Sequence, residues 1–468
     1  MNIPFIGNKV KQLRRKFSQS VGLPIKDALP ESAIEAALAA EKYTCRQCFF
    51  DPILTIWAFL SQTLDSDRSC RKAISRVMAY KCELSEQPPD AASFSATHPD
   101  TGAYCKARQR LPESVLKRLY QTVSQQLEKG ADKTRLWFGR RVFLADGTTV
   151  LLPDTPENQA AYPQHSNQQE GCGFPLVKLV VVFSLMTGAV IDAVYDVWSA
   201  YEPALLKLMC DCLKPLDVLV CDRLYCSYAD IFFWGYQQQV DVVFRLHQAR
   251  KVDFRKGKRL GKHDRIFTWE KPKRRPKGVA QHLYDALPAS LEIRVICFTV
   301  DHRGYRSKTI MVATTLLDPI AYPKNEIAAL YERRWQAEIN LRHLKSSMDM
   351  DMLRTKSPEM ARKEIAVYFL AYNLIRSVMD QAAKTCDQDP LRISFKGTLQ
   401  HLNTFLPLLA VAAPRKRKYL YDALLCLVAN ERLPDRPHRF EPRVVKRRPK
   451  SSRWMQEPRA VLKQKLTA

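Results

Sequence analysis

The chain has 468 residues, 46% of them hydrophobic, and a formal net charge of +26. That length allows roughly three domains, and that apolar content allows buried cores, so a globular protein is expected. The charge calls for a polyanionic partner, nucleic acid before an anionic membrane surface, but it names no reaction.

The first twenty residues, MNIPFIGNKVKQLRRKFSQS, are basic and lack the continuous apolar core of a secretory signal. Thirteen scattered cysteines then read as reduced thiols in the cytoplasm, and the lone Cys45-x2-Cys48, without a second pair or a downstream His pair at finger spacing, argues against zinc. Residues 1–135 have apolar positions at helical spacing through Ile53-Leu54-Ile56-Trp57-Phe59-Leu60 and Val115-Leu116-Leu119-Tyr120. Arg68, Arg71, Lys72, Arg76, Lys106, Arg108 and Arg110 sit among them. Each fits a solvated face; taken with the net charge, they favour DNA contact.

From Arg141 the texture changes to strands: Val142 to Ala145 ending at Asp146-Gly147, then Val150 to Leu152, Leu176 to Met186, the Thr187-Gly188 turn and Ala189 to Trp198. The apolar stretch Leu176 to Val197 is interrupted by Lys178, Asp192 and Asp196, so a buried hairpin is expected there and no membrane span. A helix over Pro203 to Leu213, a strand Val218 to Cys221 stopping at Asp222, a helix Tyr228 to Gln239 and a strand Val240 to Leu246 follow. This order predicts an α/β, ribonuclease-H-like core that still lacks its last helix. Residues 247–318, basic and turn-rich with strand-like runs at Ile266 to Trp269 and Leu291 to Val300, read as an inserted β subdomain. Gly257-Lys258-Arg259-Leu260-Gly261-Lys262 imitates a phosphate loop with the wrong spacing and no following Ser or Thr. Helical spacing resumes at Asn325 and runs past Lys345, a second amphipathic helix covers Glu364 to Met379, and the tail is basic, most densely over Val444 to Lys450.

The expected organisation is therefore a helical DNA-binding domain over 1–135, the first part of the core over 136–246, the β insertion over 247–318, and the last part with the catalytic helix over 319–385. A C-terminal helical and basic tail over 386–468 would serve DNA binding or dimerisation.

Asp146 and Asp222 each end an apolar run, VFLAD and VLVCD, and on neighbouring strands their carboxylates would converge where a hard divalent cation needs oxygen ligands. Alone, an Asp after a strand is a turn former. At about 100° per residue, however, Tyr331, Arg334, Glu338 and Lys345 fall within about a 60° arc of one helix. Leu330, Ala337, Leu341 and Leu344 flank that arc on one side and Trp335 and Ile339 on the other, with Glu332, Arg333, Gln336, Asn340 and His343 opposite, on the solvent side. A charged stripe in the middle of a core-facing surface costs several kcal/mol per ion before pairing. Either a buried salt-bridge network or a third metal-binding carboxylate between phosphate-binding groups would offset that cost, and the two upstream aspartates favour the second.

The pattern Tyr331-x2-Arg334-x3-Glu338-x6-Lys345 resembles, at all four positions and with its spacing, the signature of the insertion-sequence-four-like DDE transposases of bacteria. Asp146-Gly147 and Asp222-Arg223-Leu224-Tyr225 are similar to that family's first and second aspartate motifs, and the resemblance runs over residues 140–380. It implies that Asp146, Asp222 and Glu338 hold two Mg²⁺ ions (Mn²⁺ can substitute) about 4 Å apart, one activating water or a 3′-hydroxyl and the other stabilising the leaving oxygen. It implies Tyr331, Arg334, Lys345 and Arg223 as DNA contacts, with Arg334 and Lys345 clamping phosphates near the transposon terminus. Trp269, the one tryptophan of the β insertion, is the candidate to stack on a flipped base, although a core tryptophan fits equally well. The implied partners are double-stranded DNA, as terminal inverted repeats and target, and a second copy of the chain in the synaptic complex. The implied activity is cut-and-paste transposition through a hairpin, in a nucleoid-associated cytoplasmic enzyme. Two alternatives remain: a ribonuclease-H-like nuclease without strand transfer, and a non-catalytic transposase-derived DNA-binding protein.

Overall fold

A computed structural model describes residues 28–45, 48–83, 100–276, 278–300, 309–434 and 454–467. The basic N-terminal segment, Lys277 and the run 444–450 lie outside the described residues. The chain divides into two compact units: residues 1–131, 187–191 and 342–433 form one, and 132–186, 192–341 and 434–468 the other.

The first unit is helical. Its N-terminal part comprises α1 (Glu31–Ala40), α2 (Pro52–Leu64), α3 (Cys70–Glu83), α4 (Thr101–Arg110) and α5 (Glu113–Gly130). Asp51 caps α2 by accepting from the Leu54 amide at 2.8 Å, and Asp100 caps α4 by accepting from Ala103, so the orphan donors of both helix starts are met by short acidic side chains. Downstream segments contribute long helices described below, and one of them, Pro358–Thr385, is buried on nearly every face. It is not apolar all round: Lys363, Glu364, Asn373 and Arg376 are buried among the apolar positions and are hydrogen-bonded there. It packs along α5 and α2, so the helices of residues 31–130 share one core with a helix that the sequence reading assigned to the last part of the catalytic core.

The second unit is built on a nine-stranded sheet in the order β3-β2-β1-β4-β5-β9-β8-β7-β6. Its strands are β1 (Val142–Leu151), β2 (Leu176–Ser184), β3 (Val190–Val197), β4 (Val218–Cys221), β5 (Asp241–Arg245), β6 (Lys258–Gly261), β7 (Asp264–Glu270), β8 (Ser290–Thr299) and β9 (Thr309–Thr314). β4, buried along its whole length, pairs in parallel with β1 on one side and β5 on the other, which explains its continuous apolar run. The β2–β3 hairpin turns at Gly188, whose φ of +72° is open to glycine without strain. The strands of the 247–318 stretch do not make a sheet of their own. β9 pairs antiparallel with β5 and with β8, and so carries the basic strands β8, β7 and β6 as an extension of the same sheet. The false phosphate loop is β6, paired antiparallel with β7 across a register shift between Arg259 and Gly261 and turned through His263.

Short helices α6 (Pro156–Ala161), α7 (Glu202–Lys207), α8 (Tyr228–Ile231) and α9 (Gln281–Asp285) connect the strands. The stretch expected to be one helix from Asn325 past Lys345 is two, α10 (Lys324–Glu332) and α11 (Trp335–Arg342), followed by a widened turn at His343–Ser347. Arg333 and Arg334 bond to carbonyls three residues back, Leu330 and Tyr331, at 3.1 and 3.0 Å, as do Gln336 and Ala337 to Arg333 and Arg334. Such tight turns advance each residue by more than 100°, so the phase of α11 is shifted relative to α10. The helices α12 (Pro358–Thr385), α13 (Phe395–Val411), α14 (Pro414–Asn430) and α15 (Arg459–Thr467) complete the chain. No helix among the described residues is long and apolar enough to cross a membrane.

Candidate active site

β1 and β4 run in parallel up to the pair Leu144 and Val220. Two residues further on in each segment stand Asp146 and Asp222. Asp222 leaves the sheet there: its Oδ1 accepts from the Leu224 amide at 2.8 Å and caps the turn Arg223–Tyr225. Asp146, in contrast, does not end its strand as expected. β1 continues to Leu151 by pairing with β2, Asp146 opposite Val181, so Asp146 marks only the point at which β1 loses β4 as a neighbour.

The third carboxylate comes from α11. Arg334 donates through Nη2 to Glu338 Oε1, and its Nη1 lies 3.6 Å from Asp146 Oδ2, so one guanidinium bridges the two acids. Burial pushes the Asp146 carboxyl up to about 7; neighbouring Asp222 and Glu338 add to the rise, while Arg334 and the Gly147 amide, 2.9 Å from Oδ1, oppose it. Two acids thus share one arginine, and Asp222 acts on the first of them. As the side chains stand, no three potential ligands among the described residues converge on a single ion. The donor set nevertheless fits a hard cation: all three are oxygen ligands, and a carboxylate held partly protonated by burial and by other carboxylates is what a divalent charge relieves.

The expected helix face needs correction. Leu330, Tyr331, Ala337, Leu341 and Leu344 are buried as predicted, but Asn340, placed on the solvent side by the wheel, is fully buried, and Trp335 is exposed. His343, also placed in solvent, stacks on Phe395 with ring centroids 4.7 Å apart and receives an Arg376 Nη2 donor at 3.4 Å. The tight turns at Arg333–Arg334 account for the change. Arg334 and Glu338 consequently sit at the edge of the buried surface, with side chains 16% and 35% exposed, rather than in its middle. Tyr331 remains buried, its ring edge-on to Phe298. Lys345 lies in the widened turn and pairs with Asp351 at 3.1 Å. Arg223 is exposed and reaches Gln248 at 3.3 Å. Trp269 is buried, with the Arg250 guanidinium 3.7 Å above its ring, so a base could stack on that face only by displacing Arg250.

Lys178, expected to be a satisfied lysine, donates to the Ala200 carbonyl at 2.9 Å and lies 3.5 Å from Glu202 Oε1. Glu202 itself escaped the sequence reading. The available signal was Gly147, because a glycine inside a strand marks a close approach, and it is Glu202 that approaches.

Oxygen ligands on a parallel strand pair and a neighbouring helix, beside an arginine, suit phosphoryl-transfer chemistry on nucleic acid. Residues 137–374 match the family described as the transposase DDE domain, and the chain belongs to that family. It is accordingly a transposase, an enzyme acting on DNA, of a kind that generally uses divalent metal ions. It is similar to the transposase InsG for insertion sequence element IS4 of Escherichia coli (strain K12), 26% identical over 405 residues, 85% of each chain. It is also similar to the probable transposase for insertion sequence element IS5377 of Geobacillus stearothermophilus, 22% identical over 295 residues, 62% of this chain and 70% of that one. Among solved structures, a piggyBac transposase synaptic complex with hairpin DNA aligns with a TM-score of 0.44 at 11% identity, covering 88% of this chain and 86% of that one.

Proposed function

We propose that the chain cuts DNA at the ends of its own element and joins those ends to target DNA, with Asp146, Asp222 and Glu338 as the reacting-site carboxylates. The observation that carries this reading is the bridge from Arg334 to both Asp146 and Glu338, with Asp222 two residues beyond the last parallel pair. These carboxylates would hold Mg²⁺, two ions by the resemblance, which when bound supplies charge neutralisation and Lewis acidity at the scissile phosphate. Arg334, released from its carboxylate partners, would turn its fork to a phosphate, a role that suits a planar donor at the edge of a buried surface. Tyr331, Lys345 and Arg223 are the further DNA contacts of this reading, and Trp269 joins them only if Arg250 moves aside. Cut-and-paste movement through a hairpin, and a homodimeric synaptic complex, belong to the same proposal.

The order of the first five strands, β3-β2-β1-β4-β5, supports a ribonuclease-H-like core, and β6–β9 supply the basic insertion. The helices before residue 135 and after residue 386 are the proposed DNA-binding and dimerisation regions. The test is Asp222→Asn: the variant is expected to bind end-containing duplex like the wild type in a gel shift and to leave it unnicked with Mg²⁺. Nicking at the wild-type rate would refute the assignment. Nicking by the wild type without joining of a 3′-hydroxyl end to a second duplex would reduce the function to that of a nuclease.

A further inference from the structure

We propose that Glu202 is a positioning residue of the transposase reaction, holding the Asp146 and Asp222 segments in register; this rests on the reading of those two aspartates given above. Gly147 follows Asp146 directly, and a Cβ built there would fall on the Glu202 carboxylate, with even the farther oxygen only 2.7 Å away. Gly147 is not among the residues with positive φ, so the backbone does not demand glycine; space for Glu202 does. The same carboxylate faces the segment of the second aspartate. Tyr225, fully buried three residues after Asp222, donates its hydroxyl to Glu202 Oε2 at 3.4 Å. On the third side Lys178, paired across β2 with Thr149 of β1, stands 3.5 Å from Glu202 Oε1.

Glu202 therefore touches the residue after the first aspartate, a residue of the second aspartate's turn, and the strand alongside. Its charge is matched by its own Lys178, whereas Asp146 and Glu338 share Arg334, and this makes Glu202 a brace rather than a fourth ligand. Partners that orient metal-binding carboxylates without touching the ion typically change metal affinity about 10–100-fold when removed. The Asp-Gly pair thus has a physical division of labour, with Asp146 to bind and Gly147 to admit the brace.

The experiment compares wild type, Glu202→Gln and Gly147→Ala in single-turnover nicking of end duplex across Mg²⁺ concentrations. Calorimetric titration of the DNA-free protein with Mn²⁺ and a thermal melt of each variant accompany it. Both variants are expected to raise the half-saturating Mg²⁺ about tenfold, weaken Mn²⁺ binding by a similar factor, and melt close to the wild type. Gly147→Ala acts by displacing the carboxylate and Glu202→Gln by removing its charge, so agreement between them identifies the contact. Unchanged metal dependence in both, or a lowered melting temperature with unchanged Mn²⁺ affinity, would overturn the proposal. Asp222→Asn in the same assay keeps the two questions apart: if that variant nicks, the reading of the aspartates fails, whatever Glu202 does.

Discussion

Two arginines of the same unit, Arg294 on β8 and Arg334 before α11, answer opposite requirements. Arg294 is fully buried and complete: Nε and Nη2 donate to Asp264 at 2.8 and 2.6 Å, and Nη1 donates to the carbonyls of Leu316, Asp318 and Tyr322 at 3.1, 3.2 and 2.8 Å. One cation meets one anion, and backbone oxygens take the rest. Arg334 is partly exposed and stands between two carboxylates, Asp146 and Glu338, with Asp222 acting on the first of them. A desolvated pair is tolerable only when every donor and lone pair is met. Arg294 meets that condition and reads as structure. Arg334 is shared between two partly exposed carboxylates instead, and in the proposed reading it is this guanidinium that gives way to a metal ion or a phosphate.

Breaking the Arg294 pair should produce the largest loss of stability. Asp264→Leu leaves a guanidinium buried without its anion, and unfolding is expected to become easier by about 3–5 kcal/mol. Arg294→Met combined with Asp264→Leu should recover most of that loss, because two apolar side chains then replace a pair already insulated from water. Thermal and denaturant melts of the three proteins would show it; an unaffected single variant would mean the pair is not what holds β7 to β8. Arg334→Gln should do the reverse. Its partners are partly solvated, so the melt is expected to move by less than about 1 kcal/mol. The nicking rate should fall about 10²-fold, near 2.7 kcal/mol of transition-state stabilisation, as for the loss of a preorganised donor. A destabilisation matching that of Asp264→Leu, with the rate per folded molecule intact, would make Arg334 a second Arg294 and end the contrast.

Much of this was legible in the chain. The buried parallel strand β4 announces itself as VLVC followed by a carboxylate, and the spacing from Tyr331 to Glu338 places an acid next to the arginine that holds it. What escaped depended on contacts made far along the chain. The run of β9, TIMVAT, is short and resembles any buried segment; only its pairing with both β5 and β8 reveals that the insertion prolongs the sheet. A wheel drawn at a constant angle per residue cannot register the two tight turns at Arg333–Arg334, and so it put Asn340 and His343 in water. Glu202, 55 positions after Gly147 and at the start of α7, has no local pattern at all; its close approach is allowed by the missing side chain of a residue on β1.

His343 extends the contrast to a group that can avoid burial of a charge by remaining neutral. Burial holds its pKa down to about 3, with the Arg376 and Arg342 cations adding to the effect, and its Nδ1 accepts the Arg376 donor. The ordinary value near 6.5 therefore belongs to the unfolded chain, which takes up a proton that the folded one refuses. Stability from this source is intact above about pH 6.5 and is lost progressively as the pH falls toward 3. Replacing the ring by one that cannot titrate, His343→Phe, keeps the stack on Phe395 and removes the proton uptake. Between pH 7 and pH 5, above the range in which ordinary carboxylates titrate, the variant should lose about 2 kcal/mol less than the wild type in denaturant melts. At pH 7 it should be slightly less stable, because Arg376 then loses an acceptor while its bonds to Tyr372 at 2.8 and 3.0 Å persist. A wild-type stability that stays level from pH 7 to 5 would mean that the imidazole reaches water in the folded protein and that the stack on Phe395 does not shield it.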